Sequence, residues 1–323
     1  MGHPVLRLPD GRVRPIWRFL IAGALAFSCQ MLVGLLLRPT DLTDTATVIA
    51  FSIVLAINVS LFVTMSVVLD HATHPFDYIG FSTAVPIARH IVVGFVFGAL
   101  LVSLAVLLIA LPGTATFAWR MSGAMLLAAA TQLLLFAVAA LHEEVVFRGY
   151  PFQRLTESIG TWPAVVVLSV LFGLPHLTNP NSTMFAAFNT AGIGALLAIA
   201  YLRTRSIWFV WGIHWGWNLV LAVGYGLIVS GFDTDGPVDG SVMGPVWLTG
   251  GAYGIEGGAS GSAAIVVGLV LLRWAVRPAV VGASALPPSS FVIVSATPIA
   301  PAPEPSSPPS SAESSSRSSS SEP

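Results

Sequence analysis

The sequence predicts an all-α fold, a polytopic membrane helix bundle of about eight transmembrane helices. Three observations carry that prediction. Only 9% of the 323 residues are charged and 55% are hydrophobic, with a mean hydropathy of +0.82. A soluble domain carries about a quarter charged residues, so lipid is the solvent that suits this chain. Apolar runs of about 20 residues, the length of a span, recur along the sequence. The arginines gather in alternate connections between those runs.

Eight runs qualify: Trp17 to Leu37, Thr47 to Leu69, Ile91 to Leu111, Ser122 to Phe147, Trp162 to Leu174, Phe185 to Leu202, Trp208 to Val229, and Gly261 to Val276. The fifth is short and bracketed by Pro163 and Pro175. Proline is tolerated where neighbouring helices satisfy the freed backbone groups, so this helix is expected inside the bundle. Residues 1–16 then form a cytosolic N-terminal segment, residues 17–111 the first three spans and residues 112–230 a core of spans four to seven. Residues 231–260 form an external glycine-rich loop, and residues 261–277 the last span. The Pro/Ser-rich residues 278–323 bury too little apolar area to fold and are expected to be a disordered cytosolic tail.

With the N-terminus in the cytosol, twelve arginines fall on that side: Arg7, Arg12, Arg14, Arg18, Arg89, Arg148, Arg154, Arg203, Arg205, Arg273, Arg277 and Arg317. Only Arg38 and Arg120 fall outside, as do Asp233, Asp235, Asp239 and Glu256 of the glycine-rich loop. This bias places both termini in the cytoplasm of what composition suggests is a bacterial plasma membrane protein. All fourteen basic residues are arginine and net charge is −1, which leaves no electrostatic case for nucleic acid. The stretch around Gly250, Gly251, Gly257 and Gly258 lacks the lysine and helix start of a nucleotide loop and reads as a flexible connection. Cys29, the single cysteine, cannot form an internal disulfide. Ala26 fits poorly as a lipoprotein cleavage context, so Cys29 reads as a membrane-core cysteine and the first run as an uncleaved anchor.

Ionisable groups inside spans are costly and mark function by default. Here they sit in His142-Glu143-Glu144 with Arg148, in Phe172 to His176, and in His214 to Asn218. Residues four apart share a helix face, so Glu144 can pair with Arg148 while Glu143 points about 100° away. The same spacing lets His214 and Asn218 converge. Counted at about 1.5 Å per residue from Arg154, Glu143 should lie roughly 16 Å deep; His176 and His214 come out at roughly 22 Å and 14 Å. Each feature has a structural alternative: a buried ion pair for Glu144 and Arg148, and interhelical hydrogen bonding for His176, His214, Asn58 and Asn189. Trp208, Trp211, Trp215 and Trp217 fit either a pocket or an interfacial belt. His142 reads as a bystander, because the second histidine of a His-Glu-x-x-His zinc motif would fall at Val146.

The ordered set Glu-Glu-x-x-x-Arg, Phe-x-x-x-His and His-x-x-x-Asn on successive helices, from about Ser122 to Val229, resembles the CPBP (CAAX-processing and bacteriocin-immunity) family of intramembrane proteases. That family is also called the type II CAAX prenyl endopeptidases or Abi family. The resemblance implies a conical intramembrane active-site cavity and cleavage of membrane-associated peptides or proteins. It assigns Glu143 as the catalytic glutamate, His176 as its partner in holding the attacking water, and His214 with Asn218 as the oxyanion pair. Glu144 and Arg148 become a supporting ion pair. A mechanism without a cofactor is the reading adopted, with zinc left open as an alternative on Glu143, His176 and His214. A non-catalytic scaffold or immunity protein and a small proton-coupled transporter remain as competing functions; no internal repeat supports transport.

Overall fold

A computed structural model describes residues 5–37, 45–82 and 86–275. The expected tail, together with Arg38, Arg277 and Arg317, lies outside the described residues. The long helices are α1 (Pro15–Leu37), α2 (Thr45–Asp70), α4 (Ile87–Ala110), α5 (Gly123–Arg148), α7 (Thr161–Gly173), α8 (Met184–Thr204) and α9 (Ile207–Leu219), with α11 (Ala259–Ala275) last. Shorter pieces connect them: α3 (Pro75–Tyr78), α6 (Tyr150–Ile159) and α10 (Val246–Thr249). The protein is an all-α integral membrane bundle. Among the described residues seven helical stretches are long and apolar enough to cross a membrane, α7 and α9 together with the 3₁₀ and π turns that continue them to Thr178 and Gly224, and α11 is a shorter apolar helix. Its 17 residues span roughly 25 Å, so the expected eighth crossing stands apart from the other seven.

Three expectations need correction. The fourth run is matched by α5, but the depth counted from Arg154 does not follow one unbroken helix: α5 stops at Arg148, and α6 starts at Tyr150. Gly149 and Pro151 explain the break, since Pro151 brings no N–H and its ring would collide with the preceding turn. Glu143 lies about 8 Å along the axis from the end of α5, and the count of roughly 16 Å from Arg154 crosses this break. Second, α7 is not enclosed. Ala164, Leu168 and Phe172 are buried against α8, while Trp162, Val166 and Val170 are exposed on the opposite side. Third, the glycine-rich loop is folded. Strand β2 (Val238–Val242) pairs antiparallel with β1 (Ala115–Trp119), an element absent from the helical reading, with Phe117 opposite Gly240. The loop then passes through α10 and two single-turn helices, Gly251–Tyr253 and Ile255–Gly257, before α11.

Glycines set the closest helix contact. Gly94 and Gly98 of α4 face Gly212 and Gly216 of α9, and a Cβ at any of the four would strike backbone of the facing helix. Two small-x-x-x-small faces thus let the backbones approach as membrane helices do. That contact fixes α9, which carries His214 and Asn218. The two polar ends of the bundle are also resolved. Asp70 at the end of α2 takes ion pairs from Arg18 of α1 and Arg154 of α6, and Tyr150 Oη donates to it at 2.7 Å. Arg120 pairs with Asp239 across the β-ribbon. Arg18, Asp70 and Arg154 thus group apart from Arg120 and Asp239.

Candidate active site

α5 enters with Ser122 as its cap, the Ser122 hydroxyl accepting from the Met125 amide at 3.2 Å. Near its other end the helix presents Glu143 and Glu144 on different faces, as the helical repeat requires. Glu144 is fully buried and accepts from Arg148 at 3.1 Å. Arg148 also donates to the Gly194 carbonyl of α8 at 2.7 Å and lies 4.8 Å above the Phe172 ring. Gly194 permits this approach, because a side chain there would crowd Ser169 and Phe172.

The imidazole of His214 bridges the two carboxylates. Its Nδ1 lies 2.9 Å from Glu144 Oε1, and its Nε2 lies 3.9 Å from Glu143 Oε2. A carboxylate paired with arginine only accepts, so Nδ1 carries the proton and Nε2 faces Glu143. His176 is oriented by the same logic. It sits on a 3₁₀ turn (Leu174–Thr178), where its Nδ1 donates to the Phe172 carbonyl at 2.8 Å. Its Nε2 is then an acceptor. Phe172 is the hub of the cluster, with ring contacts to His176 at 5.4 Å and His214 at 6.0 Å. Its aromatic face also meets the guanidinium of Arg148, a cation–π contact in a dry setting.

Glu143, His176, His214 and Asn218 all line one cavity of about 1150 Å³, whose walls are otherwise mostly apolar. The four candidate residues are therefore brought together, and Glu144 and Arg148 stand behind them. Among the described residues no group of three or more His, Cys, Asp and Glu side chains is placed to hold a metal ion. As placed, Glu143, His176 and His214 do not form such a three-ligand group.

Two cavity residues escaped the sequence reading. His142, set aside as a bystander, is buried in the wall with Nε2 3.2 Å from the Asn58 amide of α2. Glu256, assigned to a flexible external loop, is also buried at the cavity. It accepts from the Trp217 indole at 2.8 Å. The only available signal was Glu256 itself, a carboxylate flanked by glycines that let the chain return to the bundle. Of the four tryptophans of α9, Trp217 alone lines the cavity. Trp211 and Trp215 stack at 5.5 Å on another face.

Residues 125–220 match the family model of the type II CAAX prenyl endopeptidases, Rce1-like. The similarity to that family covers 96 of the 323 residues. No match was found among curated proteins or among solved structures. The matched segment runs from the first turn of α5 to the residue after α9, and holds Glu143, Glu144, Arg148, His176, His214 and Asn218. The α4 glycines and Glu256 lie outside it.

Proposed function

We propose that the protein is an intramembrane endopeptidase in which Glu143 activates a water molecule. The observation that supports this most is the His214 bridge: a carboxylate anchors one imidazole nitrogen, and the second nitrogen faces Glu143 at 3.9 Å on the cavity wall. Amide hydrolysis needs a base for water and donors for the developing oxyanion. Glu143 takes the water proton and returns it to the leaving amine. His176 Nε2 accepts from the same water, holding it for attack. His214, when protonated on both nitrogens, directs Nε2–H toward the carbonyl oxygen, and the Asn218 amide supplies a second donor. Glu144 and Arg148 fix the imidazole without entering the reaction. The mostly apolar walls suit membrane-associated peptides or proteins, which would be cleaved in a cytoplasmically oriented plasma membrane protein.

Comparison of membrane peptidomes from cells carrying wild-type and Glu143→Ala protein tests the reading. Peptides present only with the wild type are expected. Identical peptidomes with folded protein in both strains would instead support the scaffold or immunity reading. A second measurement addresses the metal: wild-type protein stripped to well below one metal per chain should keep its activity. Loss restored by added zinc would overturn the glutamate mechanism proposed here.

A further inference from the structure

Asn218 sits one residue before the end of α9, and the chain then enters a π-helical turn, Val220–Gly224. Such turns are rare and recur at functional sites. Beyond it, Val229 and Phe232 pair across a tight turn in which Ser230 and Gly231 both have positive φ, +49° and +90°. Positive φ is strained for serine. Something outside this segment has to hold it.

Glu256 spans the irregular stretch. Its Oε1 accepts from Trp217, before the π turn, at 2.8 Å. Its Oε2 accepts from the Ser230 amide at 2.6 Å and the Ser230 hydroxyl at 2.8 Å, after that turn. The loop carrying it is anchored in turn by Asn189 of α8, which donates to the carbonyls of Glu256 at 2.8 Å and Gly258 at 3.0 Å. Ser262 donates to the Asn189 Oδ1 at 2.8 Å, so the amide orientation is fixed. Trp217 precedes Asn218 and follows His214 by three positions, on one helix.

We infer that Glu256 is a positioning residue for the hydrolytic site, acting through Trp217 to hold the His214–Asn218 turn in register. The inference rests on the proposed protease reading. An amide cannot replace the carboxylate, because Trp217 and Ser230 present donors to both oxygens and glutamine offers one acceptor only.

The test uses full-length protein in detergent and a fluorogenic peptide carrying a cleavage sequence whose product depends on Glu143. E256Q should lower kcat on the order of tenfold or more while KM stays within about twofold, the signature of lost alignment rather than lost binding. W217F, which keeps an aromatic ring and loses the indole N–H donor, should lower kcat likewise. The double variant should be no worse than the more severe single one, because both break one link. Amide exchange gives a readout that needs no substrate: E256Q should speed exchange over residues 217–230 and leave α5 unchanged. Wild-type kcat in E256Q, additive losses, or faster exchange throughout the bundle would overturn the inference. If E256Q does not fold, W217F decides it by the same measures. Failure to find any peptide whose cleavage E143A abolishes would sink the protease reading instead, and exchange would still judge the role of Glu256.

Discussion

Glu144 and Arg148 are buried together, with one guanidinium serving a carboxylate, a carbonyl and an aromatic face. Removing one partner of such a pair strands the other charge, at about 3–5 kcal/mol. Arg148→Ala is therefore expected to lower unfolding stability in detergent by about that amount. A change within experimental error would show that the pair is dispensable. The helix-local part of this arrangement was legible in the sequence, because Glu144 and Arg148 are four apart, as are Phe172 with His176 and His214 with Asn218. What was not legible is the coupling between helices. Glu144 meets His214 across 70 positions, and His142 meets Asn58 across 84. No periodicity records such distances. Glu256 was harder still, since its setting among glycines reads as flexible until the loop's return path is known.

Element-scale reasoning succeeded where apolar length decided and failed where single residues override it. The spans were found by their length and hydropathy, while the break after α5 depended on Gly149 and Pro151. The α4–α9 contact depended on Gly94, Gly98, Gly212 and Gly216, which a reading for polar groups passes over. Gly98→Val should overpack this contact, costing about 1–3 kcal/mol in stability. Because α9 carries His214 and Asn218, cleavage should fall further than stability alone explains. Activity that tracks only the fraction folded would separate this contact from site geometry. The β-ribbon lay beyond reach for another reason. Its strands are 5 residues each and are paired across more than 100 positions of helix and loop.

At the scale of the whole molecule, arginine placement predicts an alternating chain path, which the positions of the ion pairs allow to be tested. Arg18, Asp70 and Arg154 meet at one place, and Arg120 and Asp239 at another. Single cysteines at Ser158 and at Asp239, in a Cys29→Ala background, should react with an impermeant maleimide from opposite sides of the membrane. Reaction from the same side would contradict the alternating path.

The early end of α5 bears on a matter of supply. A hydrolase consumes one water for every bond it opens, and the hydrocarbon interior is the poorest source of that reactant. Glu143 lies only about one and a half turns from Gly149, where the backbone leaves the helix. The Glu143 side chain is only partly buried, so in the proposed mechanism water has a way to it while the mostly apolar cavity beside it suits greasy substrate. The two reactants, one abundant only outside the bilayer and the other only within it, can then meet at a single side chain.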